Sequence, residues 1–115
     1  WNVRLTRKAD KKEIIDVLQT STRITFINYS DGLVSNNTIK EMYLDMGRPW
    51  GDMYEVALWQ DMLKVAGNEL YYAYVVDNQA IVIPETIDAI RALTGIEENA
   101  EKSILKTNIS LGIVR

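Results

Sequence analysis

Residues 55–76 read EVALWQDMLKVAGNELYYAYVV, and the rest of the chain is arranged around this stretch. Apolar residues recur in it with a period of two, which is typical of β-strands. Gln60-Asp61 and Gly67-Asn68 have the length and composition of hairpin turns. A β-meander is therefore predicted, with strands at 55–59, 62–66 and 69–76. The third strand is apolar on both faces, so we expect it inside a sheet with both sides covered.

Two more strands and a short helix are predicted on the N-terminal side. Asn2 to Thr6 alternates polar and apolar residues, and Arg23 to Asn28 is rich in β-branched residues. Between them, Asp10 and Glu13 have the spacing of a capping box, which marks the start of a helix. We expect that helix to end near Thr20.

Three further helices are predicted from periodicity and from start and stop residues. The first begins at 37 or 38, ends at Met46 and is followed by Gly47 as a left-handed stop. Pro84 begins the second, which Gly95 ends. A final helix runs from about 97 to Leu111. The whole pattern predicts an α+β fold, with helices packed on a mixed, mainly antiparallel sheet.

Composition excludes several kinds of chemistry. The 115 residues include no Cys and no His, so this stretch supplies no cysteine nucleophile, thiolate metal site or histidine base. No apolar run reaches the roughly 20 residues of a membrane helix. The formal net charge is −3. The basic cluster comprises Arg4, Arg7, Lys8, Lys11 and Lys12. Acidic residues interrupt this cluster, which favours a solvated helix start over a nucleic-acid site.

Two sets of side chains could carry chemistry but have a simpler interpretation. Tyr71, Tyr72 and Tyr74 could form a stacking platform for bases, yet basic residues do not surround them, so core packing is favoured. Four acidic residues could act in acid–base or metal chemistry only if they converged. These four are Asp61, Glu69, Asp77 and Glu85. Each lies at a turn or at a helix start, and we expect them to be solvated turn residues.

Asn78 is the best candidate for a binding residue. It follows the most apolar strand and precedes the helix that Pro84 begins. An Asn side chain has an amide donor pair and an acceptor, which suits the recognition of a carboxamide. Physical reasoning alone favours the alternative that Asn78 was selected for turn geometry.

Four segments of the chain are distinctive: Leu44-Asp45-Met46-Gly47-Arg48-Pro49-Trp50-Gly51-Asp52-Met53-Tyr54-Glu55-Val56, Gly67-Asn68-Glu69-Leu70-Tyr71-Tyr72, Ile83-Pro84-Glu85-Thr86-Ile87-Asp88-Ala89-Ile90-Arg91-Ala92 and 102–113. Together they resemble archaeal-type (type 2) phosphorylating glyceraldehyde-3-phosphate dehydrogenases. The resemblance covers essentially the whole chain in order. It implies that the chain is the C-terminal part of such an enzyme, with residues 1–83 in the catalytic domain. Residues 84–115 would be helices that return to a Rossmann domain outside this stretch.

The resemblance also implies an activity. Such an enzyme is a cytoplasmic homotetramer that uses NAD or NADP and phosphate to convert glyceraldehyde 3-phosphate to 1,3-bisphosphoglycerate, in glycolysis or gluconeogenesis. A Cys thiolate attacks the aldehyde and a His acts as base. In the family, both lie upstream of the strand that matches 2–6, so no catalytic residue and no metal ligand is expected here. The chain alone would be inactive.

One functional position carries over from the family. The residue at the position of Asn78 contacts the carboxamide of the nicotinamide ring. Archaeal members usually have a His-Gln pair where this chain has Asp77-Asn78, which instead resembles the Asp-Asn pair of the bacterial and eukaryotic enzymes. We therefore expect Asn78 to orient the nicotinamide.

Two alternatives remain open. One is a relative of aspartate-semialdehyde dehydrogenase with the same architecture, against which the match at 84–92 argues. The other is a small non-catalytic α+β module for binding or oligomerisation. If the C-terminal helices have lost a partner surface, some of their apolar residues should be more exposed than their periodicity implies. The residues in question are Ile87, Ile90, Ile104 and Leu111.

Overall fold

A computed structural model describes residues 1–113 of the chain. The strands are β1 (Asn2–Arg4), β2 (Ile24–Ile27), β3 (Val56–Trp59), β4 (Lys64–Ala66), β5 (Glu69–Tyr71) and β6 (Tyr74–Val75). The helices are α1 (Lys11–Leu18), α2 (Asn36–Asp45), α3 (Val82–Thr94) and α4 (Ala100–Leu111). This confirms the α+β fold class. No helix within the described range is long and apolar enough to cross a membrane.

The strands form two small sheets where one was predicted. The first has the antiparallel order β1-β5-β4, and the second has the order β2-β3-β6. In the second sheet β2 is parallel to β3, and β6 is antiparallel to β3. The turn at Gly67, which has a φ of 65°, joins β4 and β5 as expected. Gln60-Asp61 is not a hairpin turn, because a short 3-10 helix (Gln60–Met62) leads the chain from one sheet to the other.

The predicted strand at 69–76 is divided between the two sheets. The Tyr72 N–H donates to the carbonyl of Trp1, before β1, and the Ala73 carbonyl accepts from the N–H of Trp59, in β3. These two residues therefore bridge the sheets, and the apolar alternation cannot continue in one sheet. The expectation that both faces are covered is wrong, since Tyr71 is 39% exposed and β6 is an edge strand.

Among residues 1–113, three buried clusters hold the elements together. Under α2, Ile39 and Tyr43 pack with residues of the second sheet, among them Ala57. Between α1 and the first sheet, Leu58, Leu63 and Leu70 are surrounded by partly buried apolar side chains. The third cluster is small and consists of Tyr54, Ala80 and Ile113. It lies where the turn after β6 meets the segment after α4.

Helix α1 confirms the predicted start after Asp10, but the reciprocal half of the capping box does not form, because the Glu13 carboxylate pairs with Arg7. The Asp10 side chain caps it by accepting from the N–H of Glu13. Helix α2 is capped by Ser35 and Thr38 as a reciprocal capping box, so it begins slightly earlier than expected. Its end is followed by Gly47, which has a φ of 88° and is the expected left-handed stop.

The two C-terminal helices begin at residues that differ from those predicted. Helix α3 begins at Val82, so Pro84 is its third residue and not its first. This is tolerated because the N–H groups of the first turn have no partner within the helix. The predicted stop at Gly95, with a φ of 70°, is confirmed. Helix α4 begins at Ala100 because the side chain of Asn99 accepts from the N–H of Lys102.

The contact between α3 and α4 is polar. The Asp88 carboxylate accepts hydrogen bonds from the hydroxyls of Ser103 (2.6 Å) and Thr107 (2.7 Å). It also pairs with Arg23, which precedes β2, and lies near Arg91 of its own helix. Ser103 and Thr107 are buried, so this network fastens the helix pair to the second sheet.

Several large apolar side chains of α3 and α4, and of the segment between them, are exposed. The most exposed positions are Leu93 (86%), Ile109 (73%) and Ile96, between the helices (71%). Two of the four residues expected to be unusually exposed are so, since Ile90 is 52% and Ile104 is 36% exposed. Ile87 and Leu111 are half-buried. The pair thus has a polar network between its helices and several large apolar side chains exposed on its surface.

We expect Asp88 to make the stability of the protein depend on acidic pH. Burial raises its pKa, but hydrogen bonds from Ser103 and Thr107 and the charge of Arg23 outweigh this effect, so the pKa is lowered. A carboxyl group with a lowered folded-state pKa stabilises the protein above its unfolded pKa of about 3.9, and this contribution is lost as the pH falls through the folded value. In the intact protein, Asp88→Asn should cost about 1–3 kcal/mol at pH 7 and flatten the loss of thermal stability below about pH 4.

The matched control is Asp45→Asn, because Asp45 is exposed at the end of α2. It should leave both the melting temperature at pH 7 and its acid dependence nearly unchanged. An Asp88→Asn variant with the same acid profile as the unmodified protein would contradict the role given to this carboxylate.

Candidate functional site

A small cleft lies between the start of α2 and the turn that follows β6. Its volume is about 230 Å³. The lining residues are Asn36, Asn37, Lys40, Met53, Val75, Val76, Asp77 and Asn78. The cleft is thus polar on the helix side and at the turn, and apolar where Met53 and the edge strand line it. Asn78, the predicted binding residue, lies at this cleft.

The turn that holds Asn78 is fixed by Asp77. The carbonyl of Asp77 accepts from the N–H groups of Ala80 (3.1 Å) and Ile81 (2.8 Å). Its side chain accepts from the N–H of Gln79 at 3.0 Å. All three bonds are local, so the geometry of the turn does not depend on the side chain of Asn78.

The side-chain amide of Asn78 has no partner in the described part of the chain. The residue is exposed. Asn78 lies in the turn itself, and the side-chain contact that closes the turn is made by Asp77. The amide can therefore both donate to and accept from a carboxamide placed in the cleft.

Lys40 provides the positive charge at the cleft. Its Nζ lies 3.6 Å from a carboxylate oxygen of Asp77, and the lysine side chain is 47% exposed. An ion pair this exposed contributes less than about 1 kcal/mol to stability. Its main effect is to balance the charge of Asp77 beside Asn78, so the mouth of the cleft is not strongly anionic.

A buried ion pair, Arg48–Glu55, lies near the third cluster. The Arg48 guanidinium binds both carboxylate oxygens of Glu55, with 2.6 Å to Oε2. It also donates to the carbonyls of Asp52 and Gly112, each at 3.2 Å. Burial lowers the pKa of Arg48, but the hydrogen bond and the charge of Glu55 outweigh it and raise the pKa.

Sequence reasoning missed this pair. Arg48 follows the predicted helix stop at Gly47, and Glu55 begins a predicted strand seven residues later, so neither position shows burial in its local pattern. Both are nearly inaccessible, with side-chain exposures of 7% and 5%. The available signal was an Arg in a short loop between two apolar elements, with a Glu at the start of the next strand.

The tyrosines are packing residues, as favoured, with one exception. Tyr72 and Tyr74 stack with their ring centroids 5.9 Å apart and pack against the cluster under the first sheet. Trp1 stacks on Tyr74 at 6.5 Å. Tyr71 is more exposed, and its hydroxyl donates to Glu69 at 2.5 Å. This set does not line the cleft at Asn78.

The four acidic candidates do not converge. Asp61 accepts from the N–H of Ser30 at 3.0 Å, and its pKa is lowered by backbone hydrogen bonds at Tyr29 and Ser30. Glu69 pairs with Arg4, and Glu85 pairs with Arg23. Asp77 closes the turn beside Asn78. Within residues 1–113, no group of three or more acidic side chains is arranged to hold a metal ion.

Comparison with known proteins finds relatives that are named as dehydrogenases. No family model matches it. It is similar to the glyceraldehyde-3-phosphate dehydrogenase of Methanobrevibacter smithii, with 41% identity over 112 residues, covering 97% of this chain and 33% of that protein. The corresponding enzymes of Pyrococcus abyssi and Pyrococcus furiosus are 37% and 39% identical over 113 residues, covering 98% of this chain and 34% of each protein.

These matches confirm the resemblance seen in the sequence. The chain is a homologue of archaeal glyceraldehyde-3-phosphate dehydrogenases along nearly its whole length. It spans about a third of the length of the curated relatives that it matches.

Proposed function

We propose that the chain is the C-terminal part of a phosphorylating glyceraldehyde-3-phosphate dehydrogenase. The intact enzyme converts glyceraldehyde 3-phosphate, phosphate and NAD or NADP to 1,3-bisphosphoglycerate and the reduced cofactor, in glycolysis or gluconeogenesis. The observation that carries this proposal is the similarity to dehydrogenases of this name across 97–98% of the chain. We also propose that the intact enzyme is a cytoplasmic homotetramer, as the resemblance implies.

The nucleophile and the base must come from outside this stretch. The 115 residues contain no Cys and no His, and a thiolate and an imidazole are the groups that this chemistry requires. The chain alone is therefore inactive. Its part in the enzyme is to complete the catalytic domain with residues 1–83 and to present Asn78.

The residues at the cleft fit a nicotinamide group. Asn78 has an amide that no group within residues 1–113 engages, and a carboxamide is its complement in both donor and acceptor. When bound, the cofactor accepts the two electrons removed from the substrate. Asp77 holds the turn, and the Asn78 amide fixes the orientation of the nicotinamide ring by binding the carboxamide of that ring.

The activity can be tested on the intact protein. Mixing it with glyceraldehyde 3-phosphate, phosphate and either NAD or NADP should produce reduced cofactor, which absorbs at a wavelength where the oxidised form does not. Omitting phosphate should greatly reduce the rate, because phosphate releases the acyl product. No reduction with either cofactor would reject the proposed activity.

We expect Asn78 to contribute directly to cofactor affinity. In the intact enzyme, Asn78→Ala should raise the dissociation constant of the cofactor several-fold, since one or two hydrogen bonds are lost. Asn78→Gln should retain much of the affinity, because it keeps the amide. Binding is measured by titration with the cofactor in the absence of substrate.

The matched control is Gln79→Ala. Gln79 is the exposed neighbour of Asn78 and contributes its backbone N–H to the turn, which this substitution keeps. Its cofactor affinity should equal that of the unmodified enzyme. If Asn78→Ala binds the cofactor as tightly as the control, the assignment of Asn78 is wrong.

The outer surface of α3 and α4 is proposed to pack on the nucleotide-binding domain of the same protein. Leu93, Ile96 and Ile109 are each more than two-thirds exposed, and large exposed apolar side chains are typical of a contact surface when they lie together. The polar network inside the pair supports this, because it holds the two helices together without using their apolar sides.

Leu93→Asp should test this packing. If Leu93 is buried against another domain, the charge should cost about 2 kcal/mol or more and lower the melting temperature of the intact protein by several degrees. Val17→Asp is the control, because Val17 is 62% exposed on α1, outside the helix pair. Equal melting temperatures for the two variants would count against the docking surface.

A further inference from the structure

The segment that follows α4 turns back into the protein. Gly112, with a φ of 69°, ends the helix, and the N–H of Ile113 donates to the carbonyl of Asn108 at 2.8 Å. The side chain of Ile113 is 5% exposed and packs in the cluster that contains Tyr54 and Ala80. An apolar side chain that is inserted in this way restrains whatever it packs against.

Arg48 holds this segment in place. Its Nη2 donates to the Gly112 carbonyl at 3.2 Å, while the same guanidinium is bound by Glu55. The guanidinium also lies over the rings of Tyr43 and Tyr54, at 4.7 and 5.1 Å from their centroids. Because Glu55 directly precedes β3, Arg48 ties the end of α4 to the second sheet.

The cluster around Ile113 includes part of the turn that holds Asn78. Ala80 is 1% exposed, and its N–H donates to the carbonyl of Asp77 at 3.1 Å. Asn78 lies within this hydrogen-bonded loop, two residues before Ala80. The buried side of the turn therefore packs with Ile113, while its exposed side presents the amide of Asn78.

We propose that Gly112–Ile113, held by Arg48, is a positioning element that fixes the turn of Asn78 for cofactor binding. This inference rests on the role proposed for Asn78. Ile113 and Arg48 touch no ligand, and they act through Ala80 and the backbone of the turn. The segment after α4 thereby determines how the enzyme holds a ring that binds on the other side of the turn.

The test is a double-mutant cycle in the intact enzyme, with the cofactor dissociation constant as the readout. Ile113→Ala should raise this constant several-fold when Asn78 is present and have little effect when Asn78→Ala is also present. A second readout needs no cofactor: the backbone amides of Ala80 and Ile81 should exchange with solvent faster in Ile113→Ala, and Ile113→Val should restore most of the protection.

Ile15→Ala is the control, because it removes the same atoms from a different cluster, the one around Leu58, Leu63 and Leu70. It should lower the melting temperature without changing cofactor affinity or the exchange at Ala80 and Ile81. This separates positioning from a general loss of stability. If Ile113→Ala does not fold, the same cycle is run with Ile113→Val, for which a smaller change in the same direction is expected.

The outcomes distinguish the two proposals. If Asn78→Ala raises the dissociation constant but Ile113→Ala does not, the positioning role is wrong and the assignment of Asn78 stands. If Ile113→Ala has an equal effect with and without Asn78, it acts generally, and the inference is overturned. If Asn78→Ala has no effect, the proposed function of Asn78 fails and the inference fails with it, even if amide exchange is faster.

Discussion

The buried Arg48–Glu55 pair is the interaction on which the arrangement of the molecule depends. One guanidinium binds the carboxylate that precedes β3 and the carbonyl of Gly112 after α4, and it stacks on two tyrosine rings. Removing one partner from such a pair commonly costs 3–5 kcal/mol, because an uncompensated charge stays buried. Burial of this kind is tolerated only with multiple well-placed partners, and Arg48 has them.

A second constraint is the polar contact between α3 and α4. Most surface helices bury their apolar side and expose their polar side. In this pair Asp88 and its hydroxyl partners are inside, while Leu93 and Ile109 are outside. The polar network fixes the two helices to each other and to the second sheet. The exposed apolar side chains of the pair remain free to contact another surface. The arrangement of the two helices is thus fixed, although several of their apolar side chains are not buried.

The sequence predicted local structure better than long-range arrangement. The cap at Asp10 and the stop at Gly95 follow from local chemistry, and both are confirmed. The division of 69–76 between two sheets depends on hydrogen bonds to residues distant in sequence, which periodicity cannot show. Arg48 was missed for the same reason. Asn78 could be proposed because its position resembles a known family, whereas its unengaged amide is visible only in three dimensions.

Contacts between residues that are distant in sequence determine when parts of the chain can fold during synthesis. Strand β1 pairs with β5, about 65 residues later, and Arg23 finds its partners only at Glu85, Asp88 and Asn108. During synthesis, β1 can pair only after β5 has been made, and the Arg23 side chain can bind all of its partners only after Asn108 has been made. Contacts between residues so distant in sequence slow folding, because the loop-closure entropy is lost before the contact forms.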